Sequence, residues 1–468
     1  MTDGALPQES GMADWIPNLE ESDKPRYLAI ADAIASDIAA GRLSLADRLP
    51  PQRKLAARLG IDFTTVARGY GEAQKRGLVV SKVGQGTSIT GLASPAAVQR
   101  SAVRPILVDL SMNLPPEQDD PALLKRMQEG IAAVSQNVMG LLRYQGFGGA
   151  PADKDAASSW LGRRALVPTQ DRIFVTPGAH PALLGIFGIL AQRGETILCE
   201  AITYPGARAI AAQLGLSLVG LRMDRDGIDP DAFADACRTL KPKALYLNPT
   251  LQNPTTLTIP KDRRDAIAAT ARHFHVPIIE DDAYGFIPTK SPPPFAAIAP
   301  DLTWHVAGLA KCIGAGLRAA YVLAPDTRSG WPFAAALRAA NVMASPFTAA
   351  IVTRWIEDGT ADAILRFIRT EAAARQALAT SILPPGSFQA DPISFNLWVH
   401  LPPPWTRSAF IGHMRETGIG IVASDVFTVT GSPPEAVRVC LGGPISRGGV
   451  RRALEFMAHS FEDGPALA

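Results

Sequence analysis

From Tyr27 onward the apolar positions fall on a helical beat. Tyr27, Ile30, Ala31, Ile34 and Ile38 stand at i, i+3, i+4, i+7 and i+11, which makes one stripe, and Gly41 is placed to close that helix. Leu49-Pro50-Pro51 interrupts it. A second helix is predicted over about 52–59, burying Leu55, Ala56 and Leu59 and stopping at Gly60. Asp62 then stands where an N-cap is wanted, and a third helix over 63–76 turns Val66, Tyr70 and Ala73 inward. Next, 78–80 and 87–89 read as a short hairpin turning at Gly84-Gln85-Gly86. Beyond residue 105 the pattern changes. Apolar runs at 173–176, 196–199, 216–221, 244–247, 277–280, 303–307 and 319–323 alternate with Ala-rich helical stretches, the signature of an α/β domain with a mixed, mostly parallel sheet. From Pro346 a long helical tract leads to apolar runs at 395–401 and 437–441, which predict a smaller α+β C-terminal lobe over about 346–468.

Length changes the picture first, because 468 residues exceed what one core serves. The reading is a flexible acidic tail (1–24), a helical head (25–90), a linker (91–104) and the α/β domain (105–468). A 47% hydrophobic and 19% charged composition excludes general disorder. Net charge is +2, but it is unevenly spread. Residues 25–90 hold ten Lys/Arg against five acids, whereas 1–24 hold six acids and one Lys. A basic module is therefore masked by an acidic tail. The four cysteines are scattered, which excludes a disulfide framework and a cysteine zinc site. No signal peptide precedes the head, and no apolar run reaches the roughly 18 residues of a membrane span, so the chain reads as cytoplasmic.

Helix, helix–Gly–helix and hairpin together are the layout of a winged helix-turn-helix. The third helix presents Thr64, Thr65 and Arg68 outward for base edges, Arg53 and Lys54 open the second helix where phosphates dock, and Lys82 lies on the wing. The run LPPQRKLAARLGIDFTTVARGYGEAQKRGLV resembles the GntR-family signature over nearly its full length. One departure is that Phe63 stands where many members have an Arg, leaving Arg68 to supply that contact.

In the α/β domain four motifs follow strands in order. Asn253 lies in LNPTLQNPTT, Asp281 in IIEDDAYG, Lys311 in VAGLAKCIGAGLRAAYV, and Arg318 seven residues further on. This order and spacing resemble fold-type-I aminotransferases that bind pyridoxal 5′-phosphate (PLP), and fused to the head they resemble the MocR subgroup of GntR regulators. The resemblance implies that Lys311 forms a Schiff base with PLP, Asp281 pairs with the pyridinium nitrogen, and Asn253 and Tyr284 donate to O3′. It implies that Arg318 and the N–H groups at Gly178 and Ala179 hold the phosphate, and that Tyr204 stacks on the ring. Tyr144 would reach the partner subunit's phosphate, which makes the chain a homodimer. Arg438 in EAVRVCLGG would grip an effector carboxylate. Two hydroxyls common in relatives are missing, at Gly308 and at Ala179, with His180 as a substitute donor.

The leading functional reading is a PLP-dependent regulator that binds promoter DNA and senses an amino compound through external aldimine formation. The second is an aminotransferase moving an amino group to a keto acid. The third is a regulator whose cofactor fold is only a scaffold.

Overall fold

A computed structural model describes residues 15–19, 24–40, 42–43, 47–82, 86–89, 108–146 and 148–464. The chain divides into two compact units, residues 1–104 and 105–468.

The first unit follows its hydrophobic pattern closely. It comprises α1 (Arg26–Ala39), α2 (Gln52–Leu59), α3 (Phe63–Lys75) and a hairpin of β1 (Val79–Lys82) and β2 (Gly86–Ile89). Gly60 ends α2 in the left-handed region at φ 64°, and Asp62 caps α3 by accepting from the Thr64 N–H at 2.7 Å. The hairpin is antiparallel, with Val79 opposite Ile89. Ile30, Ile34, Leu55, Val66 and Tyr70 form the core of this unit, and the buried Tyr70 hydroxyl donates to the Pro50 carbonyl at 2.8 Å. At Gly69 an added Cβ would stand 2.9 Å from Ile30 Cγ2, so the missing side chain lets α1 and α3 pack closely.

One expectation needs correcting. Within the stretch read as a flexible tail, Trp15 and Leu19 are buried in the core of this unit. The Trp15 indole N–H donates to Asp37 Oδ2 at 2.6 Å. Two apolar residues four apart join the three-helix core, a signal hidden among turn formers. Gly41, the wing tip at 83–85, the linker and the rest of 1–23 lie outside the described residues, as does the Lys82 side chain.

The second unit begins with β3 (Val108–Asp109) and is built on seven strands. These are β4 (Ile173–Thr176), β5 (Thr196–Glu200), β6 (Ser217–Leu221) and, after the small hairpin of β7 (Met223–Asp224) and β8 (Gly227–Ile228), β9 (Ala244–Leu247), β10 (Ile278–Asp281), β11 (Thr303–Gly308) and β12 (Ala320–Leu323). Their order is β4-β12-β11-β10-β9-β5-β6, with β12 antiparallel to both neighbours and the other pairs parallel. All seven strands anticipated from the sequence are in it. Strands β4 and β9 to β12 are buried at every residue, which is why they read as continuous apolar runs without alternation.

Helices cover the sheet. The smaller lobe follows helices Pro346–Glu357 and Thr360–Ile382 and contains β13 (Phe388–Gln389), β14 (Asn396–His400), β15 (Ile419–Gly420), β16 (Val422–Ala423) and β17 (Ala436–Cys440). Its four-stranded sheet runs β13-β14-β17-β16. Strand β15 pairs instead with β3, so the start of the unit is tied to its C-terminal lobe. Among the described residues, no helix is long and apolar enough to cross a membrane, and no cluster of His, Cys, Asp or Glu has the form of a metal site.

Candidate cofactor cavity and nucleic-acid face

The parallel strands of the large sheet end at one edge, where ligands of open α/β sheets characteristically bind. There the chain leaves a cavity of about 400 Å³. Gly178 and Ala179 reach it from the end of β4, Tyr204 from beyond β5, Asn253 from beyond β9, Asp281 from the end of β10 and Lys311 from beyond β11. Because β12 runs the other way, its entry brings Arg318 to the same edge. Tyr284 and, from β17 of the smaller lobe, Arg438 complete the lining. Of the cofactor and effector residues anticipated from sequence, only Tyr144 stands elsewhere, 84% exposed.

The electrostatics are those of a buried site. Burial pushes the Asp281 carboxyl up to about 6, against the pull of Tyr246, whose hydroxyl donates to Oδ2 at 2.9 Å. The other oxygen, Oδ1, is buried without a hydrogen-bond partner. Burial likewise pushes the Lys311 amine down to about 8, and its Nζ donates to the Asn113 carbonyl. A lysine so placed gives up its proton more readily than an exposed one, which nucleophilic amine chemistry needs. Arg438 is lowered by burial too. Nη1 donates to Asn253 Oδ1 at 3.1 Å, Nη2 donates to the Ser111 carbonyl, and Nε is buried without an acceptor. The cavity thus holds an orphaned acid oxygen on the sheet and an orphaned guanidinium N–H on the smaller lobe. A pyridinium nitrogen would satisfy the first and a carboxylate the second.

At the anion end, Gly178 at φ 99° precedes helix Ala179–Leu190, whose first N–H groups open toward the cavity. Arg318 lies against this turn, since a Cβ on Gly178 would stand 3.2 Å from its Nη2. The two absent hydroxyls fall together, with a Cβ on Gly308 meeting Ala179 Cβ at 3.5 Å. His180 lines the same end, its imidazole held below its usual range by burial and by Arg318. The Tyr204 ring occupies space that Gly206 leaves free by having no side chain. A Cβ there would fall 2.2 Å from the ring. PLP fits this set. An acid is ready for its ring nitrogen, an amine for its aldehyde, and a helix N-terminus with an arginine for its phosphate.

Sequence reasoning missed the residues that hold these in place. Asn113 is the chief one. Besides its carbonyl on Lys311, its amide donates to the Tyr284 hydroxyl at 2.5 Å. Asn248 joins two strands by donating to the Asp281 carbonyl at 2.6 Å and accepting from the Asn253 N–H at 2.8 Å. The doubled Asn-Pro-Thr of Asn248-Pro249-Thr250 and Asn253-Pro254-Thr255 was a usable signal for it. Beneath Asp281 lies a buried ionic layer. Arg164 donates to Asp282 at 3.0 Å, and His305 Nδ1 meets Glu280 at 2.8 Å. Burial pushes the Asp282 carboxyl up, but Arg164, His305 and Arg264 together hold it below the usual range.

On the head, Arg53 and Lys54 are exposed in the first turn of α2, and Thr64 and Arg68 are exposed on α3 with Thr65 half-buried. Two of these differ from expectation in what they offer. The Thr64 hydroxyl donates to the Asp62 carboxylate, and the Arg68 guanidinium lies 4.3 Å over the Tyr27 ring. Phe63 is 43% exposed, with Arg53 5.8 Å from its ring centroid.

Comparison with known proteins agrees with both units. Residues 105–456 match the family "Aminotransferase class I and II", and residues 26–89 match "Bacterial regulatory proteins, gntR family". The chain is 26% identical over 451 residues to YdeF, an uncharacterized HTH-type transcriptional regulator of Bacillus subtilis, covering 96% of this chain and 97% of that one. It is 26% identical over 420 residues to PtsJ of Salmonella typhimurium, a vitamin B6 salvage pathway transcriptional repressor, covering 88% and 93%. Among solved structures it is similar in fold to LysN, an α-aminoadipate aminotransferase of Thermus thermophilus. The TM-score is 0.69 and identity 19%, over 76% of this chain and 92% of that one.

Proposed function

Starting from a chain that belongs to the class I and II aminotransferase family and carries a gntR-family head, we propose that it is a transcription regulator that binds PLP and an amino-compound effector in one unit and promoter DNA with the other. The observation that carries this reading is the pairing of one cavity lined by Lys311, Asp281, Asn253 and Arg318 with a gntR-family head in one chain. Its full-length relatives YdeF and PtsJ, with that same span, are named as transcriptional regulators.

PLP, when bound, supplies an aldehyde that takes up a primary amine and a ring that withdraws electrons from it. The chain's own residues do the rest. Asp281, with one oxygen fixed by Tyr246, keeps a proton on the ring nitrogen, and Asn253 and Tyr284 donate toward the ring oxygen. Tyr204 covers the ring face. Arg318, Gly178 and Ala179 fix the phosphate. Lys311 presents its amine, partly neutral, and is the group an amino effector displaces. Arg438 takes the effector's carboxylate with its unused donors. Tyr144, exposed in one subunit, would complete the phosphate site of a second copy, which makes the working unit a homodimer. On the head, Arg53, Lys54 and Lys82 would contact phosphates, and α3 would lie in the major groove.

The test uses the purified full-length chain with PLP and DNA from upstream of its own gene. The expected result is a visible absorbance band that Lys311→Ala loses, and a footprint that Arg53→Ala with Lys54→Ala loses. No band, or no footprint even at low salt where phosphate contacts are strongest, overturns the reading. Steady transfer of an amino group to a keto acid without a footprint would favour an aminotransferase instead.

A further inference from the structure

The N-terminal end of a recognition helix reads base edges with whatever groups it presents, and in this head the first of them is apolar. Asp62 caps α3 by accepting from both the N–H and the hydroxyl of Thr64, so the proton of that hydroxyl is engaged and Thr64 keeps an acceptor oxygen and a methyl. Beside it, in the first position of the helix, stands Phe63, 43% exposed. The guanidinium of Arg53, in the first turn of α2, lies 5.8 Å from the ring centroid, within cation–π range. That contact restrains the ring while the cation is carried where phosphates dock. A phenyl ring in contact with Arg53 is poorly explained as a core residue, since it is not among the buried side chains of the unit. It is well suited to a duplex. Of the four bases only thymine presents a methyl group in the major groove, and apolar side chains read it by contact.

We infer that Phe63 is a specificity-determining residue that reads a thymine 5-methyl group in each half-site of the operator. The inference rests on the proposal that the head binds DNA, and it adds which base is read and by what contact. An arginine in this position would instead favour guanine through O6 and N7.

The experiment selects duplexes from a random-sequence library with the full-length chain. Each thymine of the best binder is then replaced singly by deoxyuridine, which deletes the methyl and nothing else. At one thymine per half-site the wild type should lose about fourfold in affinity, the worth of one buried methyl group. Phe63→Ala should bind the thymine and uridine duplexes equally. Selection repeated with Phe63→Arg should exchange that thymine for guanine. Because Phe63 is on the surface, both variants should keep the wild-type thermal melt. If the wild type tolerates uridine at every position, or if Phe63→Ala keeps the discrimination, the inference is overturned while DNA binding stands. If the library enriches no sequence, DNA reading falls and this inference with it.

Discussion

Gly308 and Ala179 face each other where the phosphate would sit, and neither has a hydroxyl to give. Gly308 has φ −71° and ψ 127°, a conformation any residue adopts, and a Cβ there meets Ala179 Cβ at an ordinary 3.5 Å. Gly308→Ser should therefore fold unchanged and place a donor beside the helix N-terminus and Arg318. A charge-assisted hydrogen bond of about 1.5 kcal/mol would tighten PLP roughly tenfold, read by titrating the apoprotein and following the cofactor's absorbance. An unchanged dissociation constant would mean that the N–H groups and Arg318 already saturate the phosphate. Both missing hydroxyls were legible in the sequence, as were Asn253, Asp281, Lys311 and Arg318, because each follows an apolar strand within a short motif. Asn113 was not. It lies 198 residues from Lys311 in sequence and holds it by a backbone carbonyl, which no side-chain pattern marks.

The same contrast holds among the elements. Seven apolar strands, five of them buried at every residue, and three helices with clean apolar stripes write themselves into hydropathy. Strands β3 and β15 have two residues each, too short for any periodicity, yet their pairing ties the start of the unit to its smaller lobe. The segment at 15–19 is the other illegible element, with only Trp15 and Leu19 carrying it. A head of this size has little core to spare, so one indole matters. Trp15→Ala removes a buried ring and the bond to Asp37, at a cost of about 3 kcal/mol. Hydrogen exchange on the full-length chain should show faster exchange at the amides of Ile30 and Val66. Amides of β10 and β11, in the other unit, should be unaffected. Unchanged exchange at Ile30 and Val66 would mean that this segment does not support the head.

For the regulator proposed above, the question at the scale of the whole molecule is how a ligand in one unit would alter DNA binding by the other. Residues 108–113 are the first described after the linker, and among them Ser111 and Asn113 hold the two groups an amino acid would engage. The Ser111 carbonyl accepts from Arg438 and the Asn113 carbonyl from Lys311. An amine that displaces Lys311 and a carboxylate that recruits Arg438 both compete with this segment, and the segment runs back in sequence to the head. Binding can shift a conformational equilibrium only by the difference in affinity for its two states, and here that difference would fall on residues 108–113. The expected outcome is a reciprocal coupling of roughly 5- to 150-fold between effector and DNA. The effector would be found among amino acids by the change each makes in the bound cofactor's absorbance. Its effect on the DNA dissociation constant must equal the effect of DNA on its own. Asn113→Ala keeps the backbone carbonyl but releases Tyr284 and Asn396, and so loosens the segment at the cavity. It should lower the coupling factor severalfold while the affinities for DNA alone and for effector alone change less. Coupling that survives Asn113→Ala undiminished would exclude this segment as the route, because spatial connection without a coupling energy is not a pathway.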